Sequence, residues 1–158
     1  MNNKTIIAIY PNTLGFGYVI INHKGEIQDF GIVPIRPVNN RKCMERINEM
    51  ISYHNPQILI LEHHSHSRKS ARIKNLNKLL YEKWKGDISV YRYTREQVRE
   101  TFEIFGAKNK YEINQKIVEV YPQFKTKLPD KRKPWEPENY YQGLFDALAL
   151  LLSYQYQE

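Results

Sequence analysis

The sequence predicts an α/β fold, a five-stranded mixed sheet with helices on both faces, and three observations predict it. Two short runs, Thr5–Tyr10 (TIIAIY) and Gln57–Glu62 (QILILE), are apolar without alternation, the pattern of strands buried on both faces. Between them lies a β-rich stretch with a short Gly-containing hairpin turn at His23-Lys24-Gly25. After Arg41 the apolar spacing becomes mostly helical. A meander of strands followed by βα crossovers gives a mixed sheet covered on both sides.

Each element has its own signal. Thr5–Tyr10 is the first strand, and Pro-Asn-Thr-Leu-Gly breaks it before a second at Gly17–Asn22. The hairpin turn leads into a third strand, Ile27–Ile35. Arg41 to His54 carries Met44, Ile47, Met50 and Ile51 on one helical face, and Asn55-Pro56 ends it. Gln57–Glu62 is a strand that finishes on a carboxylate, followed by a helix over residues 68–85 with Ala71, Ile73, Leu76, Leu79 and Leu80 as its apolar positions. Ile88–Tyr93 alternates as the fifth strand. Thr94 and Gln97 form a capping box for a helix over Arg95–Phe105, and Tyr111–Tyr121 is another helix, with Ile113, Ile117 and Tyr121 on one side. Residues 122–137 hold Pro122, Pro129, Pro134 and Pro137 and read as a connection. A final helix from Asn139 to Tyr154 buries Tyr141, Leu144, Leu148, Leu151 and Leu152. The order is β-β-β-α-β-α-β-α-α-α, one domain over residues 1–158.

Composition narrows the function. Lys and Arg number 24 against 17 Asp and Glu, and a formal charge of +7 favours a polyanionic partner, nucleic acid being the commonest. The longest aliphatic run, Ala147–Leu152, falls far short of the ~20 residues a membrane span needs. The opening MNNKTIIAIY has no signal-peptide layout, and the single cysteine, Cys43, cannot form an internal disulfide, so a cytoplasmic chain is expected. Cys43 shares a helix with Met44 and Ile47 and reads as a small core residue. The Gly15-Phe16-Gly17 pair lacks the third glycine and following helix of a dinucleotide fingerprint.

Four local strings carry a family likeness. IAIYPNTLGFGYVII sets Pro11, Gly17 and Tyr18 around the first turn, and ILILEHH ends a strand on Glu62. YRYTREQVRETFEIFGAKNKYEINQKIV carries Val98, Gly106, Ala107 and Lys110, and FDALALLL supplies Asp146-Ala147-Leu148-Ala149. In this order, over nearly the whole chain, they resemble the RuvC-type Holliday junction resolvases of the ribonuclease H-like superfamily. That resemblance implies a ribonuclease H-like sheet, a homodimer, and hydrolysis of branched DNA at four carboxylates. Those acids would hold two Mg²⁺ or Mn²⁺ ions ~3.5–4 Å apart. Glu62 and Asp146 match two of these catalytic, metal-binding acids. The first-strand aspartate is replaced by Tyr10, a phenol with an ordinary pKa of ~10. The remaining position falls on Gly143, which has no side chain. Two substitutes are at hand. His64 lies two residues past Glu62, on the same face of an extended segment, and would favour Mn²⁺ or Zn²⁺. Glu138, with Glu136, stands just before the last helix. Asn12 replaces a family glycine and offers either an amide oxygen or a turn.

Basic residues cluster in two places. Arg68, Lys69, Arg72, Lys74 and Lys78 come without an acid among them, and Arg68 and Arg72 are spaced to share a helix face. Lys125, Lys127, Lys131, Arg132 and Lys133 surround a single Asp130 and are followed by Trp135, which suits base stacking. Phosphate contacts are expected from both groups, and the resemblance adds Lys108 and Lys110. Tyr140, Tyr141, Tyr154 and Tyr156 read as packing surface or a dimer contact. The expectation is a RuvC-like nucleic-acid-binding protein, branched DNA its partner, with an altered centre. Two rivals stand beside it: a non-enzymatic interaction or regulatory protein on the same fold, and an active metal nuclease that recruits His64 or Glu138.

Overall fold

The computed structural model describes residues 4–64 and 69–158. The elements are β1 (Ile6–Pro11), β2 (Gly15–Ile21), β3 (Ile27–Pro34), α1 (Asn40–His54), β4 (Ile58–His63), α2 (Ala71–Trp84) and β5 (Ser89–Thr94). They continue with α3 (Arg95–Ile104), α4 (Lys110–Val120), a 3₁₀ turn at Pro122–Lys127, and α5 (Gln142–Gln157). One five-stranded sheet has the order β3-β2-β1-β4-β5. The β1–β2 and β2–β3 pairs are antiparallel, while β1–β4 and β4–β5 are parallel. This is the mixed sheet expected from the sequence.

The continuous apolar runs are explained by what covers them. On β1, Ile6 and Ala8 pack under α3, α4 and α5, whereas Ile7 and Ile9 pack under α1 and α2. On β4, Ile58 and Ile60 face the first group, and Leu59 and Leu61 the second. Both strands are therefore buried on two faces, so neither shows polar alternation. Cys43 is fully buried on α1, in the small-core role its neighbours suggest. No helix among the described residues is long and apolar enough to cross a membrane.

Several boundaries and faces differ from expectation, each for a local reason. The second helix starts at Ala71, because the Ser70 side chain accepts the Ile73 N–H and caps it. Ala71 is exposed and Leu79 is 41% exposed; the buried positions of α2 are Ile73, Leu76, Asn77 and Leu80. The last helix starts at Gln142 rather than Asn139, since Asn139 makes a turn whose side chain and carbonyl accept the Tyr141 and Gln142 N–H groups. The Pro-rich connection contains the 3₁₀ turn, which inserts Phe124 fully into the core, its ring centroid 4.8 Å from that of Phe30.

One close approach sets where α5 lies. A Cβ on Gly17 of β2 would collide with the backbone of Gly143 and Leu144. A Cβ on Gly143 would collide with the side-chain amide of Asn12. The absence of side chains at both positions lets the first turn of α5 rest directly on the sheet. Asn12 takes the turn role: its Oδ1 accepts the Leu14 and Gly15 N–H groups at 2.9 and 3.0 Å.

Candidate functional site

The side-chain period of two fixes the composition of the site. Ala8 pairs with Ile60 across β1 and β4, both facing α5, and two residues further along stand Tyr10 and Glu62. From the opposite side α5 presents Asp146. A cleft of about 700 Å³ opens between them, at the C-terminal ends of the parallel strands β1 and β4, where ligands of open α/β sheets bind. Its lining includes the acids Glu62, Glu138 and Asp146 and the bases Lys69, Arg95, Arg99, Lys108, Lys110 and Arg132.

Glu62 is 4% exposed, and a buried carboxylate needs a partner. Lys69 provides it: the ammonium donates to Glu62 Oε2 at 2.9 Å and also bonds the Tyr10 hydroxyl, its Nζ 3.7 Å from the ring centre. Burial raises the Tyr10 pKa well above 10.0, and the carboxylates of Asp146 and Glu62 raise it further, so the phenol is neutral at physiological pH. His64 Nδ1 lies 3.7 Å from Glu62 Oε2, and its Nε2 meets the Asn77 amide. Burial lowers the His64 pKa below 6.5 despite the pull of Glu62, so the contact joins a neutral ring to the acid.

Asp146 has a different environment. Its Oδ1 accepts from Gln142 Nε2 at 2.9 Å, and Gln142 is itself paired with Asn114 by bonds of 2.8 and 3.2 Å. Its Oδ2 is buried without a hydrogen bond, 3.9 Å from Lys110 Nζ, and Lys110 bonds Glu138 at 3.1 Å. Burial pushes the Asp146 pKa from 3.8 up to about 6, against the opposing pull of Lys110 and Gln142.

A pair of divalent ions needs several hard oxygen ligands converging on one space. Here Glu62 is engaged by Lys69, Glu138 by Lys110, and one oxygen of Asp146 by Gln142. Among the described residues no three His, Cys, Asp or Glu side chains gather as a metal site requires. The described residues do not fit a two-metal centre. They suit a phosphate chain, because the bases of the lining outnumber its acids.

The residues singled out from the sequence separate into groups. Glu62, Asp146, Tyr10, Lys69, Lys108, Lys110, Arg132 and Glu138 all line the cleft. Lys69 sits among the acids instead of reaching outward. Arg72 is directed into the protein, its Nη2 donating to the Asn12 carbonyl at 2.7 Å and its Nη1 to Asn40 Oδ1 at 3.2 Å. Lys131 and Lys133 are exposed, and the Lys133 ammonium lies 5.6 Å from the centre of the Trp135 ring. Arg68 and His66 lie outside the described residues. Sequence reasoning missed Arg95 and Arg99, whose i,i+4 spacing on the helix after β5 is a readable signal. It also missed the Asn77 and Asn114–Gln142 contacts, which join residues from separate elements.

No family model and no curated protein sequence matches the chain. Among solved structures, Thermus thermophilus RuvC is similar with a TM-score of 0.65 and 17% identity, over 96% of this chain and 93% of that one. T. thermophilus RuvC in complex with a Holliday junction substrate gives 0.64 and 16%, with the same coverages of 96% and 93%. The fowlpox virus Holliday junction resolvase gives 0.49 and 15%, over 98% and 99%. At such identities the likeness is one of architecture: the chain has the five-stranded mixed α/β fold seen in RuvC.

Proposed function

We propose that this protein binds branched DNA through the cleft between β1, β4 and α5, as a RuvC-like nucleic-acid-binding protein whose centre is altered. The observation that carries the reading is the ring of bases from four parts of the chain: Lys69, Arg95 and Arg99, Lys108 and Lys110, and Arg132, around a recessed Glu62 and Asp146. Phosphate-neutralising residues arranged around a concave site supply affinity that is independent of base sequence. Support for a branched partner comes from the similar fold of a RuvC solved with a Holliday junction substrate. A homodimer belongs to the same proposal, because two clefts would engage two strands of a junction.

The test uses labelled single-stranded, duplex and four-way-junction DNA, in EDTA, Mg²⁺ or Mn²⁺, with Asp146→Asn as control. Tight junction binding without strand nicking is expected. Metal-dependent nicking that Asp146→Asn abolishes would refute the altered centre and return the protein to the active nucleases. Absence of binding to every DNA would refute the nucleic-acid reading and leave a protein-interaction role for the fold.

A further inference from the structure

We infer that the Lys69 ammonium is the resident cation of this centre, standing beside Glu62 in place of a divalent ion, so that the cleft engages a phosphate backbone without metal. The inference rests on the reading of the cleft as a nucleic-acid site. Lys69 bonds two groups at once, Glu62 Oε2 at 2.9 Å and the Tyr10 hydroxyl, which lie at the ends of adjacent parallel strands. That is a bridging position between the two strand ends. Charge points the same way. An acid at position 10 beside Glu62 would place two negative charges there, the setting a hard dication favours. A neutral phenol at 10 removes one negative charge, and Lys69 adds one positive charge. The two changes together supply the charge of one divalent ion.

A dication approaching Glu62 would meet an ammonium already within hydrogen-bonding distance and, among the described residues, fewer than three His, Cys, Asp or Glu side chains gathered to hold it. The second acidic pocket repeats the arrangement, with Lys110 3.1 Å from Glu138 and 3.9 Å from Asp146. Two lysines from different parts of the chain thus each serve an acid of the cleft. A phosphate entering the cleft meets fixed ammonium groups that need no loading step.

The test measures Mn²⁺ uptake through the paramagnetic resonance signal of free Mn²⁺, together with thermal melting, on the wild type and on Lys69→Met/Tyr10→Asp. Junction binding by the wild type is measured in EDTA and in Mn²⁺. The wild type is expected to leave the Mn²⁺ signal intact, to melt at an unchanged temperature, and to bind the junction within about twofold equally in both media. The double variant is expected to take up Mn²⁺ and to melt about 5–11 °C higher with it, as a ligand near 100 times its Kd would produce. Wild-type uptake of Mn²⁺ lost in Glu62→Gln, or junction binding only with Mn²⁺, would overturn the inference and leave the nucleic-acid reading standing. A folded double variant that ignores Mn²⁺ would also overturn it. If the double variant fails to fold by circular dichroism, the wild-type measurements decide alone. No junction binding with no Mn²⁺ uptake would defeat the nucleic-acid reading while the ammonium keeps its place.

Discussion

Asp146→Asn should stabilise the protein, and the gain should depend on pH in a stated direction. The Asp146 side chain is 13% exposed, with one oxygen on Gln142 and the other near Lys110 without a hydrogen bond. Burial lifts its pKa from 3.8 to about 6. The native state therefore keeps this proton up to about pH 6, whereas the unfolded chain releases it near 3.8. Stability falls as pH rises through that window, and the penalty is complete above it. At about 1.36 kcal/mol per pH unit, ionised Asp146 costs the native state about 3 kcal/mol. Asparagine has the same shape, can still accept from Gln142, and carries no charge. The variant should gain about 3 kcal/mol at pH 8, about half of that at pH 5, and nothing near pH 3. For a chain of this length the pH 8 gain is roughly 6–12 °C in Tm. Urea and thermal melts of both proteins at the three pH values measure it. A gain independent of pH, or a loss at pH 8, would refute the reasoning and show that Lys110 and Gln142 fully compensate the buried charge.

Three further outcomes are expected. Gly17→Ala places a methyl against the backbone of Gly143 and should cost about 1–3 kcal/mol in urea unfolding; an unchanged midpoint would mean that α5 lifts freely. Arg95→Ala and Arg99→Ala should each weaken junction binding in every DNA sequence and reduce the salt-dependence slope by about one, which a salt titration reads directly. Trp135 is 77% exposed, so Trp135→Ala should weaken binding to single-stranded and open-junction DNA by roughly 5–100-fold and leave duplex binding unchanged. Equal losses on all three substrates would argue against stacking.

The fold was readable because its strongest signals are periodic. β1 and β4 are buried on both faces and announce it as unbroken apolar runs; the Thr94–Gln97 capping box is present as both reciprocal bonds. Glu62 was legible as the carboxylate that ends the β4 run, and Asp146 was singled out through the resemblance of FDALALLL to the resolvase family. Lys69 was legible only as a basic residue. Its bond to Glu62 crosses a non-periodic segment, and its bond to Tyr10 crosses 59 positions. Arg72 was misplaced for the same reason: nothing in its helical spacing shows that the Asn12 carbonyl and Asn40 wait beside it. Leu79 followed the apolar pattern of α2 yet is exposed, while Asn77 is buried where it meets His64. Patterns along the chain find elements; partners brought together by the sheet order need the third dimension.

The contact between Gly17 and Gly143 constrains which side chains the site can accept. Introducing an acid at position 143 drives its Cβ into Asn12, whose amide is held by two backbone N–H groups of the β1–β2 turn. Moving Asn12 disturbs that turn, and enlarging Gly17 wedges α5 from the sheet. A carboxylate at position 143 therefore comes only at a cost in the packing of the β1–β2 turn or of α5. Such packing acts as a lock: position 143 admits no larger side chain until Asn12 has changed, so backbone contacts help to hold the composition of the cleft.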